Sequence, residues 1–240
     1  DEDIAIMDTS DSRTLDAWKE DLKKALNGKQ PKYLVVHHLE PDHASGIGDV
    51  VEMFPDITIV CSAKAQAMMP LYFPDAKVAD RTSVVKEGDT ISLGKHQLQF
   101  FMAPMVHWPE VMVEYESKEK ILFSADGFGK FGALDVDEPW IDEARRYYLN
   151  IVGKYGASVQ ALLKKAAGLD IQKICPLHGP ILTENLGYYI NLYDIWSSYK
   201  PEEEGVLIAC ASIHGNTKRA ALKLQEKLEA KGVKTMFIDL

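Results

Sequence analysis

Hydrophobic positions along this chain fall into short apolar runs alternating with helical stripes. Ile4-Ala5-Ile6-Met7 is a run closed by Asp8-Thr9-Ser10, which predicts a short buried strand. Leu15, Trp18, Leu22 and Leu26 then recur at helical spacing up to Asn27-Gly28, predicting an amphipathic helix. Tyr33-Leu34-Val35-Val36 is too short for a typical helix and rich in strand formers, so it predicts a second strand that delivers the chain into a loop over residues 37–43.

Further β-like pieces run from Ile57 to Cys61, around Ile91 to Met102, from Val111 to Tyr115, and from Ile121 to Ser124 after a polar turn at 117–120. Strand, helix, strand, then a series of strands and then helices is the order of a mixed α/β layer protein. At Pro201-Glu202-Glu203-Glu204-Gly205 the composition changes to an acidic linker, so residues 1–200 are expected to form one domain and 201–240 the start of another. Beyond the linker, Val206 to Cys210 reads as a strand. Ala221, Leu224 and Leu228 mark one face of a helix, Gly232 its stop, and Thr235 to Ile238 a second strand, which together make one βαβ unit.

The chain has 240 residues and a hydrophobic fraction of 46%, enough for a real core, so disorder is not expected. Its 36 acidic against 27 basic residues give a net charge of -9, which argues against a nucleic-acid surface and suits small neutral substrates or a basic redox partner. Cys61, Cys175 and Cys210 are far apart with no CxxC, so neither a disulfide scaffold nor a cysteine zinc site is indicated, and a reducing cytoplasm is the simplest home. No apolar run approaches the ~20 residues of a membrane helix.

The candidate chemistry lies in the polar residues after the strands. In the HxExDH pattern of His38, Glu40, Asp42 and His43, alternate side chains of one tight loop can converge on cations, and imidazole with carboxylate is a ligand set for transition metals. His107 in Met-Val-His-Trp-Pro, Asp126 in Ser-Ala-Asp-Gly-Phe-Gly and His178 in Pro-Leu-His-Gly-Pro stand in strand-end turns and complete the set. His37, His96 and His214 read instead as caps or satisfied polar groups. Trp108, Phe128, Tyr147 and Tyr148 read first as core aromatics and second as residues shaping a pocket. The loop Ser212-Ile213-His214-Gly215-Asn216-Thr217, between a strand and a helix, has the form of a phosphate cradle, although the same residues are ordinary turn and cap residues.

With those residues in that order the chain resembles a metallo-β-lactamase-like domain, and Glu40 in place of the usual second histidine resembles the flavodiiron proteins. The resemblance implies an αββα sandwich followed by the first βαβ unit of a flavodoxin-like doubly wound domain. It implies one iron held by His38, Glu40, His107 and Asp126, and a second by Asp42, Asp126 and His178, with Asp126 bridging. His43 has two readings, a ligand of the second ion or a side chain turned away. Ser212, His214, Gly215, Asn216 and Thr217 would bind the phosphate of FMN.

The activity implied is a cytoplasmic oxidoreductase that reduces dioxygen to water, nitric oxide to nitrous oxide, or both. Electrons would come from a separate donor such as rubredoxin or a reduced flavin or deazaflavin, to a head-to-tail homodimer or a tetramer. Neither nucleic acid nor membrane is an expected partner. Relative to the family, N-terminal strands and further βα units are expected to be missing, so the chain alone should bind FMN poorly. Equal numbers of carboxylates and imidazoles in the six-residue set favour iron over zinc. The rival readings are a two-zinc hydrolase of the same fold and a fragment whose ligands never fill.

Overall fold

The structure is a computed structural model that describes residues 2–74 and 78–240. The chain divides into two compact units, one ending at Ser198 and one spanning Tyr199–Leu240.

In the first unit, β1 (Ala5–Met7), β2 (Tyr33–Val35), β3 (Thr58–Ser62) and β4 (Thr82–Val85) form a sheet in that order, every pair parallel. Their crossovers contain α1 (Leu15–Leu26), a single helical turn α2 (Pro41–Ala44), α3 (Ile47–Met53) and α4 (Ala63–Tyr72). A second sheet has the order β5 (Thr90–Ser92), β6 (Gln97–Met102), β7 (Met112–Glu116), β8 (Ile121–Phe123) and β9 (Lys173–Cys175). Its pairs are antiparallel except β8 with β9. The helices α5 (Trp140–Ile151), α6 (Gly156–Ala166) and α7 (Leu186–Ser197) belong to the same half.

Side-chain alternation along the strands decides the layering, because successive residues of a strand face opposite sides of the sheet. Val35, Val60, Phe100 and Met112 pack together between the two sheets. Their neighbours Leu34, Ile59 and Cys61 face away and pack with Ile47, Val50 and Met69 of α3 and α4. Phe101, Val113 and Ile174 face away on the other side and pack with Tyr148, Val159 and Trp196 of α5, α6 and α7. The result is helices, sheet, sheet, helices, with strands apolar on both faces, as a doubly covered sheet requires.

Local signals account for several ends. Asn27 closes α1 in the left-handed conformation with its N–H on the Lys23 carbonyl. The Ser62 hydroxyl caps α4 through the Ala65 N–H. The apolar stretch from Ile91 to Met102, read as one β-like piece, is two strands, since Gly94 at φ 101° lets the chain reverse. The expected loop over residues 37–43 is corrected in part, because Pro41 starts α2 and Asp42 and His43 ride on that turn. β4, β9 and α4 have no strong pattern of their own and exist through pairing and packing.

In the second unit, β10 (Val206–Cys210) and β11 (Thr235–Asp239) pair in parallel, connected by α8 (Asn216–Glu229), which packs on both. Gly215 precedes the helix at φ 75°, and the Gly232 N–H returns to the Glu229 carbonyl beyond its end.

Candidate metal centre

Strand ends place the candidate donors. β2 runs out before His38, α2 carries Asp42 and His43, the segment after β6 carries His107, and the turns after β8 and β9 carry Asp126 and His178. Two of the tethers come from the turn after β1. Both Asp8 carboxylate oxygens hold His37, one on its backbone N–H at 2.8 Å and one on its ring Nδ1 at 2.6 Å. The Thr9 hydroxyl donates to the His43 carbonyl at 2.8 Å and accepts from the Gly46 N–H.

The Asp126 turn is equally determined. The Ser124 hydroxyl donates to the Gly127 carbonyl, and the Gly129 N–H donates to the Asp126 carbonyl. A Cβ at Gly129 would lie 3.0 Å from that carbonyl, 3.1 Å from the Tyr147 ring and 3.2 Å from His178, so a larger residue would press on both donor-bearing loops.

These elements bring all seven candidate donors together in two groups. In the first, His107 Nε2 lies 3.1 Å from both Glu40 Oε2 and Asp126 Oδ2. His38 Nε2 lies 3.3 Å from Glu40 Oε2, 3.3 Å from His107 Nε2 and 3.6 Å from Asp126 Oδ2. In the second, His178 Nε2 is 3.3 Å from Asp42 Oδ2 and 3.1 Å from His43 Nε2. The other oxygen of Asp126, Oδ1, is 3.3 Å from His43 and 3.7 Å from His178. The two groups therefore share one carboxylate, an oxygen to each, and His43 is turned towards the second group.

The arrangement fits metal ions on its own chemistry. Donors bonded to one ion at about 2.0–2.2 Å stand about 3–3.5 Å apart, and most of the close pairs in each group have that spacing. Both carboxylate oxygens of Asp126 and Oδ1 of Asp42 are buried with no hydrogen-bond partner, an arrangement that is costly unless a cation meets them. His38 Nδ1 meets the buried carboxylate of Glu110 at 2.8 Å. That bond puts the ring proton on Nδ1 and leaves the Nε2 lone pair facing the group.

Electrostatics favour positive charge at the same place. Burial works against the His38 imidazolium, yet Glu110, Glu40 and the charge of Asp126 raise its pKa to about 10. His107 is raised to about 9 in the same way by Asp126 and Glu40, despite burial. The imidazoles of His107 and His38 lower Glu40 to about 2. Burial opposes ionisation of Asp126 and Asp42, but neighbouring histidines hold both carboxyls below the usual range. His38 and Asp126 are buried, whereas Glu40, Asp42 and His178 are about one-third exposed, at 35%, 34% and 31%, so the centre is open on one side.

The remaining candidates lie elsewhere or around it. Buried His37 sits between Asp8 and Glu114, and His96 lies near Glu119. Trp108 sets its ring edge-on to His38, 5.1 Å between centroids. Tyr148 and Phe128 are core residues. Tyr147 stands 5.3 Å from the His178 ring, and burial with the nearby charge of Asp126 raises its phenol well above the ordinary value, so it keeps its proton. Ser212, His214 and Gly215 lie in the turn from β10 into α8, and Asn216 and Thr217 open the helix, with Asn216 Oδ1 accepting from Arg219.

Sequence reasoning missed Glu110, Asp8, Thr9 and Tyr193. The signal available for Glu110 was a carboxylate three residues after a candidate histidine. Tyr193 had none, because its hydroxyl meets the Phe128 N–H at 2.6 Å across 65 positions.

Residues 1–179 match the family described as ODP family beta lactamase. The chain is 31% identical to the nitric oxide reductase of Moorella thermoacetica, over 100% of this chain and 62% of that protein. The flavodiiron protein from Giardia intestinalis superposes with a TM-score of 0.88 at 29% identity, over 100% of this chain and 60% of that one. The rubredoxin oxygen:oxidoreductase of Desulfovibrio gigas superposes with a TM-score of 0.84 at 28% identity, over 100% and 62%. The chain spans about half the length of the curated relatives it matches.

Proposed function

We propose, from the premise that this chain belongs to the ODP family of beta-lactamase-like proteins and is a flavodiiron protein, that the whole protein is an oxidoreductase reducing dioxygen to water, nitric oxide to nitrous oxide, or both. The observation that carries the reading is Asp126, which offers one oxygen to each of two donor groups. His38, Glu40, His107 and Asp126 would hold one iron, and Asp42, His43, Asp126 and His178 the other. Two irons held side by side would supply electrons to a small uncharged substrate, which two zinc ions could not do.

The chain's own residues then have definite tasks. Glu110 keeps the His38 proton on Nδ1. Buried His38 and Asp126 keep water from the rear of the centre, and the exposed side at Glu40, Asp42 and His178 admits substrate. Tyr147, protonated and beside His178, is placed to offer a hydrogen bond there.

Residues 201–240 are read as the start of an FMN-binding domain, with Ser212, His214, Gly215, Asn216 and Thr217 forming the turn for its phosphate. Support comes from the strand-turn-helix geometry, in which backbone N–H groups at the start of α8 can meet an anion. A separate donor, rubredoxin or a reduced flavin or deazaflavin, and a head-to-tail homodimer or tetramer complete the proposal, with the cytoplasm as its compartment. Among the described residues no helix is long and apolar enough to cross a membrane.

The test is anaerobic elemental analysis of protein expressed with iron and zinc both available, together with a flavin absorption scan on the chain completed to the length of its relatives. About two irons per chain and bound flavin are expected. Two zincs with no flavin would transfer the protein to the hydrolases.

A further inference from the structure

Behind the donor loops lies a second feature that the metal centre does not use, a cavity of about 330 Å³. Val106, next to His107, and Phe128, two residues after Asp126, both line it. Val159 and Leu163 of α6 and Ile190 and Tyr193 of α7 line it as well. The same two loops that carry candidate metal donors therefore also border an apolar space.

The wall offers little to a polar or charged ligand. The Ser124 hydroxyl is engaged by the Gly127 carbonyl and the Tyr193 oxygen by the Phe128 N–H. Among the described residues no ionisable carboxylate, ammonium or imidazole lines the space. The space opens to solvent beside Ala167 and Gly187 and is otherwise apolar, and an apolar cavity of about 150 Å³ already takes xenon or benzene. A ligand that needs convergent polar groups for its orientation finds none here.

We propose that this cavity binds small, uncharged, apolar molecules of the class of dioxygen and nitric oxide, held against the back of the loops that carry His107 and Asp126. The identity of the gas rests on the function proposed above, whereas the existence of the site rests on the cavity alone. A site of this kind raises the local concentration of a sparingly soluble gas next to the centre without competing for its open, polar side.

The probe is xenon, applied under pressure to crystals of the whole protein. The expected result is xenon among Val159, Leu163 and Tyr193. Ala166→Phe and Val159→Phe, each placing a ring into the space from α6, are expected to abolish it, with folding checked by Tm. With iron in place, the second-order rate of oxidation of the reduced protein by dioxygen is expected to fall severalfold in a folded variant that has lost xenon.

Wild-type protein that takes up no xenon there overturns the site. Xenon that persists in both folded variants also overturns it, and an unchanged oxidation rate in a variant without xenon overturns the gas assignment. A protein that proves to hold zinc refutes the redox reading, and the xenon occupancy is read independently of that result.

Discussion

One oxygen of Glu110 accepts both the His38 Nδ1 proton at 2.8 Å and the Leu39 N–H at 3.0 Å, so a single buried carboxylate sets the ring orientation of His38 and the backbone beside it. Its own segment is tied down in turn, because the Ser62 hydroxyl donates to the Glu110 carbonyl at 2.7 Å. A carboxylate behind a metal-binding imidazole raises the basicity of the ring and locks its tautomer.

Glu110→Gln is accordingly expected to weaken metal binding at the His38 group by about 10–100-fold. Competition of the folded variant with a calibrated chelator measures this. Affinity within twofold of the wild type would remove Glu110 from the role.

Asp126→Ala is expected to leave at most one tightly bound ion per chain, since both donor groups lose an oxygen at once. Elemental analysis after gel filtration reads the stoichiometry. Two irons retained at full occupancy would show that the carboxylate does not bridge.

Tyr193→Phe removes the hydroxyl that accepts from the buried Phe128 N–H, at a position where Phe128 adopts φ 67°. Leaving that donor unpaired is expected to cost about 1–3 kcal/mol, visible as a lower Tm, while the ring contact of 4.3 Å with Phe128 is kept. A Tm equal to the wild type would mean that water replaces the hydroxyl.

Glu114 gives a pH dependence separate from the metal donors. Burial raises its carboxyl from 4.5 to about 7, with Asp8 and Glu116 adding to the shift and His37 opposing it. A folded value above the unfolded one means that the neutral form is favoured by folding. Its contribution is complete below about pH 4.5 and is lost as the pH rises through about 7. Over that window chelator-treated wild type should lose about 3 kcal/mol more stability than Glu114→Gln. Denaturant unfolding at a series of pH values tests this, and parallel pH profiles for the two proteins would refute it.

Local chemistry made much of the donor set legible. His38, Glu40, Asp42 and His43 lie within six positions, and the apolar run before them predicts the strand that presents them. The strands with continuous apolar runs, β2 and β3, were readable for the same reason. β9 was not, because three residues carry almost no period and the strand exists by pairing with β8 across about fifty positions.

What the sequence by itself determined is therefore the inventory, meaning the residue types, their order and the short elements that carry them, since propensity and periodicity act over a few residues. Only the tertiary structure decided that His43 turns towards the second donor group, that Glu110 stands behind His38 from 72 positions away, and that an apolar cavity borders the same loops. Those relations arise where two sheets and their helices close on one another. Packing there selects among distant partners by shape and by the need to satisfy buried polar groups, and no local pattern encodes that choice.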